Sequence, residues 1–213
     1  IPKPLIKVNN KPFIESLFAK LIRYNFKRIY LLCSYKKSKF YKLYHNKKIH
    51  NTKIICIDEG RQKGTGGALF KLKGKINKNF ILLNGDTFFN IPISTFSNFH
   101  HSSKSKLSMA LMRASEENRF GGITLNAENK VISSSSFKAK KDDLANGGVY
   151  MLDPSIIKSF PNVKIPFSLE ESLLPALLSK NIPIYGIDLT SKFIDIGVPK
   201  DYLWCQRNYK EVF

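Results

Sequence analysis

No stretch of this 213-residue sequence is apolar for long enough to cross a bilayer, because its longest hydrophobic runs are the size of single strands. Nor does a charged start followed by an apolar block suggest a signal peptide, so no membrane partner is expected and the cytoplasm is the expected compartment. Cysteine is scarce. Cys33, Cys56 and Cys205 lack C-x-x-C spacing, which excludes a disulfide framework and a zinc ribbon. The first two sit in apolar strand-like runs and read as small reduced core residues. His45, His50, His100 and His101 also lack metal-ligand spacing. Acidic residues are few, 16 against 35 basic ones, and the resulting net charge of +19 would favour a polyanionic partner. Arginine, however, is scarcer still, at 6 of those 35, and bidentate readout of bases and phosphates favours arginine. The lysines are scattered, apart from Lys36, Lys37, Lys39, Lys42, Lys47 and Lys48, which interleave with Tyr35, Phe40, Tyr41 and Tyr44. That segment reads as a solvated amphipathic helix with its aromatics toward the core, and no nucleic-acid partner is expected.

Nothing divides the chain by composition, and no repeat or low-complexity segment interrupts it, so residues 1–213 are expected to form a single domain with one core. Phe80 to Leu83 are four apolar residues without alternation, followed by Asn84-Gly85-Asp86, as in a strand covered on both faces of a parallel sheet. In open α/β sheets ligands bind beyond the carboxyl ends of such strands, where a carboxylate suits a metal or a ribose hydroxyl; an ordinary aspartate in a turn is the plainer alternative. Phe193-Ile194-Asp195-Ile196-Gly197 repeats the strand, carboxylate and glycine order. Between strand Lys53–Asp58 and a helix from Ala68 lies Gly64-Thr65-Gly66-Gly67, a turn that exposes backbone N–H groups to anions or bases. It is neither a Walker A loop nor a dinucleotide fingerprint.

Lys11-Pro12-Phe13 is expected to open a helix with proline in its first turn, striped by Ile14, Leu17, Phe18, Leu21 and Ile22. Helices and strands then alternate as far as Leu107–Met112, predicting a doubly wound α/β sheet with right-handed crossovers. Phe120–Leu125, Lys130–Ile132 and Asn146–Leu152 read as short strands folded over one mouth of that sheet. Ser168-Leu169-Glu170-Glu171 is a capping box opening a helix to Ser179, with a kink expected at Pro175.

Seven short stretches, in this order, resemble the sugar-nucleotide nucleotidyltransferases: Ile1–Pro4, Asn10–Pro12, Gly64–Ala68, Leu83–Asp86, Arg119–Gly121, Asn146–Tyr150 and Asp195–Tyr202. The segments Asn84–Phe89 and Phe193–Pro199 are most similar to the bacterial D-glycero-α-D-manno-heptose 1-phosphate guanylyltransferases, with mannose 1-phosphate guanylyltransferases second. The resemblance implies a mostly parallel, Rossmann-like sheet of the GT-A-like type, with a small β subregion on the sugar side. It implies a nucleoside triphosphate and a sugar 1-phosphate as partners and Mg²⁺ as cofactor, held by Asp86 and Asp195. Lys3 would stand against the phosphates as a catalytic charge. Glu59, Gly64, Thr65, Gly66 and Gly85 would serve the nucleotide, and Gly121, Lys140 and Asn146 the sugar phosphate. Glu59 and the Gly-rich turn also resemble the guanylyltransferase pattern, with Gln62-Lys63 in place of the usual Pro-Leu.

The family begins with a strand and an Arg-bearing Gly-rich loop, and the sequence is expected to start just after them. Its usual Glu-Lys sugar pair is also altered. Aligning Phe137 with the family's aromatic residue puts Ala139 at the glutamate and Lys140 at the lysine, whereas an ungapped register from Asn146 puts serines there. A non-catalytic nucleotide-sensing relative and a basic nucleic-acid binder are the alternatives of another class.

Overall fold

The structure, a computed structural model, describes residues 1–61, 63–115, 121–160, 164 and 166–213, leaving aside the side chains of 135–138. Its chain starts with a 3₁₀ turn (Lys3–Leu5), β1 (Lys7–Val8), β2 (Lys11–Pro12), α1 (Ile14–Arg23), β3 (Arg28–Cys33), α2 (Lys37–Tyr44), β4 (Lys48–Ile49) and β5 (Thr52–Asp58). There follow α3 (Thr65–Leu69), β6 (Phe80–Leu83), β7 (Thr87–Phe89), α4 (Ile93–Ser102), β8 (Leu107–Arg113), β9 (Gly121–Leu125), β10 (Val131–Lys138), β11 (Leu144–Leu152) and α5 (Ser155–Ser159). After a π-helical turn (Leu169–Leu173) come α6 (Leu174–Ser179), β12 (Ile184–Asp188), β13 (Phe193–Asp195), α7 (Pro199–Arg207) and α8 (Tyr209–Val212). Two compact units result: Ile1–Gln62 with Gly85–Phe88 and Phe193–Phe213, and Lys63–Asn84 with Phe89–Lys192. Among the described residues no helix is long and apolar enough to cross a membrane.

In the first unit β3 runs parallel to β5, as the crossover through α2 requires, and β4 closes antiparallel on β5. The expected stripe of α1 is buried at Ile14, Leu17, Phe18 and Leu21. Phe40 and Tyr44 of α2 turn inward while its lysines stay in solvent, and Tyr44 meets Phe18 edge to face at 5.2 Å. Pro12 does not open α1. It pairs with Lys7 in a two-strand ribbon whose turn is Asn9-Asn10, both at positive φ, a conformation asparagine tolerates better than most residues. Cys33, Cys56 and Cys205 are buried free thiols, as core residues of this kind should be.

The second unit holds a mixed sheet of order β10-β9-β11-β8-β12, with β6 also pairing with β11. β8, between β11 and β12, is fully covered: Leu107, Met109, Ala110 and Leu111 have no exposed surface, and β12 lies parallel beside them. The α/β architecture is the expected one, but the sheet of this unit is mixed rather than mostly parallel, β8 with β12 being its parallel pair among the described residues. Asn146–Leu152 differs in position, because β11 is not a cover over the sheet but a strand within it, antiparallel to both β6 and β8. The reason is burial, since Val149, Tyr150, Met151 and Leu152 are covered and could not lie on a solvated flap. Pro175, expected to kink a helix, instead stands in the first turn of α6, just beyond the π turn, where its missing N–H is tolerated.

Candidate active site

Three of the expected residues come together in the first unit. Lys3 lies in the 3₁₀ turn after Pro2, and its Nζ stands 3.7 Å from Asp86 Oδ2. Asp86 follows Gly85 just before β7, and its backbone carbonyl accepts a hydrogen bond from Ile196 N at 3.1 Å. This bond ties the Asp86 turn to the end of β13, which pairs with β7 and carries Asp195. The Asp195 carboxylate turns back on its own loop, where Oδ1 accepts from Gly197 N at 2.8 Å. A Cβ on Gly197 would stand 2.9 Å from both Asp195 Oδ1 and Lys3 Nζ, so the carboxylate and the ammonium close on the same small residue. Lys3 is exposed and Asp86 partly so, which leaves the group accessible to a solute. Gly85 packs against Pro4. Glu59, also in the first unit, follows β5, and its N–H donates to Cys33 O at 3.0 Å.

The Gly-rich turn belongs to the second unit, where it docks along Phe167–Leu169. Gly67 N donates to Phe167 O at 2.8 Å and Phe167 N to Lys63 O at 2.7 Å. Gly64 has φ +78°, and a Cβ there would lie 2.6 Å from Phe167 O, so both backbone conformation and close approach require glycine. Gly66 approaches Ser168 and Leu169 almost as closely. Thr65 is exposed at the first turn of α3, with its hydroxyl accepting from Leu169 N at 2.9 Å and donating to Glu170 Oε2 at 3.2 Å.

The sugar-side candidates divide within that unit. Gly121 starts β9 opposite Lys138, and Lys140 is exposed in a turn where its N–H donates to Asp143 Oδ2 at 2.8 Å. Ala139, at the position aligned with the family's glutamate, is buried. Arg119 and Phe120 lie outside the described residues, as does Gln62. Asn146 stands at a bulge: it pairs with Leu111, Val149 pairs with the preceding Ala110, and Gly147-Gly148 loop out between them. Its Oδ1 accepts from Gly148 N at 3.0 Å and its Nδ2 donates to Tyr150 OH. Tyr150 OH in turn donates to Glu170 Oε1 at 2.8 Å.

Glu170 is the polar residue that sequence reasoning passed over. Its signal was the capping box, in which Ser168 Oγ accepts from Glu171 N at 3.1 Å as expected. Glu170 inside that box had no apparent task, although Ser168 Oγ also donates to its Oε2 at 3.3 Å.

Over residues 1–212 the sequence matches the nucleotidyl transferase family. It is 34% identical to a D-glycero-α-D-manno-heptose 1-phosphate guanylyltransferase of Campylobacter jejuni, over 95% of this chain and 88% of that one. It is 30% identical to the enzyme of the same name from Aneurinibacillus thermoaerophilus, over 97% and 89%. In three dimensions it is similar to HddC from Yersinia pseudotuberculosis, crystallised with GMP-PN, with a TM-score of 0.85 and 28% identity over 98% of this chain and 90% of that one.

Proposed function

We propose, for a chain that belongs to the nucleotidyl transferase family, that it transfers guanylyl from GTP to D-glycero-α-D-manno-heptose 1-phosphate, giving GDP-heptose and pyrophosphate. The reaction class, nucleotidyl transfer to a sugar 1-phosphate, is that of its relatives by name. The observation that carries the reading is that Asp86 and Asp195, from distant parts of the sequence, both approach Lys3, the first at 3.7 Å from its Nζ and the second across Gly197. A module without catalysis has no need of two carboxylates held beside an accessible ammonium.

In this reaction an oxygen of the sugar phosphate attacks the α-phosphorus of GTP in line. The new P–O bond forms as the bond from the α-phosphorus to the bridging oxygen breaks, and pyrophosphate leaves with that electron pair. No covalent nucleophile on the protein is needed, so positioning and charge are what the residues supply. Lys3 lowers the repulsion between two anions that must meet, as a compact point charge does well. Asp86 and Asp195 form an oxygen donor set that suits Mg²⁺, a hard cation content with one or two carboxylates plus phosphate oxygens and water. Bound there, Mg²⁺ would supply neutralisation of phosphate charge. Glu59, Gly64, Thr65, Gly66 and Gly85 serve the nucleotide, and Gly121, Lys140 and Asn146 the sugar phosphate. The proposal places the enzyme in the cytoplasm, supplying nucleotide sugar for polysaccharide assembly.

Guanine offers N1–H and an amine as donors and O6 as acceptor, a set that the carbonyls and N–H groups of the Gly-rich turn can satisfy. Adenine reverses donor and acceptor at two positions, each mismatch costing about 1 to 3 kcal/mol. The test is pyrophosphate release by the full-length protein with GTP, ATP, dTTP and CTP against heptose, mannose and glucose 1-phosphates. The expected maximum of kcat/KM is at GTP with heptose 1-phosphate. Equal or greater efficiency with dTTP or CTP would overturn the guanylyl assignment.

A further inference from the structure

We infer that Glu170 is a positioning residue that fixes, through one proton chain, both the amide of Asn146 and the hydroxyl of Thr65. The inference rests on the reading that Asn146 serves the sugar and Thr65 the nucleotide. Its evidence is the direction of the hydrogen bonds. A carboxylate only accepts, so Tyr150, Thr65 and Ser168 must each spend their single hydroxyl proton on Glu170, at 2.8, 3.2 and 3.3 Å. With its proton committed, the Tyr150 oxygen can only accept, and Asn146 must present its Nδ2 to it. The other end of the amide agrees, since Asn146 Oδ1 accepts from Gly148 N. The Asn146 amide is therefore oriented twice over. One Nδ2 hydrogen and one Oδ1 lone pair remain outside these bonds, a fixed donor and acceptor side by side that match the paired hydroxyls of a sugar.

Tyr150 can transmit this order because it has almost no exposed surface, only 1%, so water does not compete for its hydroxyl. Burial, together with the neighbouring Glu170, pushes its phenol well above the ordinary value and keeps the proton in place. Glu170 itself sits on the π turn, where Leu173 N donates to Ser168 O at 2.9 Å, five residues back. Such turns are rare and concentrate at functional sites. The Gly-rich turn is held to the same segment through the Thr65 and Gly67 bonds. One carboxylate thus sets the hydrogen-bond polarity of a sugar-side amide and of a nucleotide-side hydroxyl.

Two substitutions separate the arms. Glu170→Gln places an N–H₂ where an acceptor stood, and Tyr150→Phe removes the relay oxygen alone. Each is expected to raise KM for the sugar 1-phosphate by about tenfold, the scale of one buried hydrogen bond, and the double variant no further. Only Glu170→Gln should raise KM for GTP, because Tyr150 has no bond to Thr65. The amide wiring is read separately, without substrates, from the side-chain ¹⁵N–¹H₂ resonances of Asn146. Both variants should shift them, while Thr65→Val should not. Should Glu170→Gln fail to fold, Tyr150→Phe, one oxygen smaller, carries the same spectral test. Unchanged Asn146 resonances, or sugar KM effects that multiply in the double variant, would overturn the inference. Absence of pyrophosphate release from the wild type would count against the guanylyl reading alone, since the spectra report the wiring without turnover.

Discussion

His100 shows how far burial alone can set the behaviour of one side chain. Only 1% of it is exposed, Nδ1 shares a proton with Ser108 Oγ at 2.8 Å, and Nε2 has no hydrogen-bond partner among the described residues. Burial, and next the nearby His101, lower its pKa from 6.5 to about 4, with Asp153 opposing weakly. At pH 7 the imidazole is neutral in the folded chain and mostly neutral in the unfolded one, so its contribution to the pH dependence is small there. As pH falls through 6.5 the unfolded chain takes up the proton first, so stability is lost until the folded pKa is reached. Between pH 7 and pH 4.5 this one residue should remove about 2 to 3 kcal/mol. Urea unfolding at the two pH values, in wild type and His100→Phe, checks it. The variant is expected to lose less stability on acidification by roughly that amount, and an equal loss would show that other groups carry the acid sensitivity.

At the scale of elements, the bulge in β11 is the most demanding feature of the sheet. A Cβ on Gly147 would lie 2.3 Å from Cε1 of Phe89 and 3.0 Å from Ala110 O, and Phe89 is itself buried with little room to yield. Gly147→Ala should therefore cost about 1 to 3 kcal/mol of overpacking. Gly60→Ala, where nothing lies within 4 Å and only the positive φ opposes a side chain, should cost less. Thermal unfolding of the two variants compares them, with the larger fall expected at Gly147. This bulge also shows why some elements were legible in the sequence and others were not. The buried stripe of α1 and the unalternated run of β8 announce themselves by period and composition, whereas the run of β6 marks a strand but not its setting, since Phe80–Leu83 are half-buried and pair antiparallel with β11 rather than lying covered in a parallel sheet. Gly147-Gly148 looks the same in sequence whether it ends a strand or interrupts one, and only the partners on both sides of β11 decide it. Pro12 was misread for a similar reason: proline suits the start of a helix and the edge of a ribbon alike, and the Asn9-Asn10 turn favours the ribbon. That Asp86 and Asp195 stand at strand ends was legible because each follows a strand-sized apolar run beside a glycine. Glu170 was not, because its task depends on Tyr150, which the sequence offers only as one more buried aromatic.

For the whole molecule, a net charge of +19 suits substrates that both carry phosphate, since a positive field raises their local concentration without specifying either one. The proposed chemistry depends on few of these charges. Lys3 is set beside Asp86 and Asp195 in the first unit, while Thr65, Asn146 and Glu170 belong to the second. The switch from one unit to the other falls between Asn84 and Gly85, within the stretch that delivers Asp86. The central claim is that the two carboxylates serve nucleotidyl transfer and not the fold. Initial rates of pyrophosphate release from GTP and heptose 1-phosphate, in wild type, Asp86→Asn and Asp195→Asn full-length protein, test it most directly. Each substitution should lower kcat by about two to three orders of magnitude with the melting temperature unchanged, the scale of losing one electrostatic stabiliser. A rate within about threefold of wild type in either variant, far short of that scale, would contradict the account.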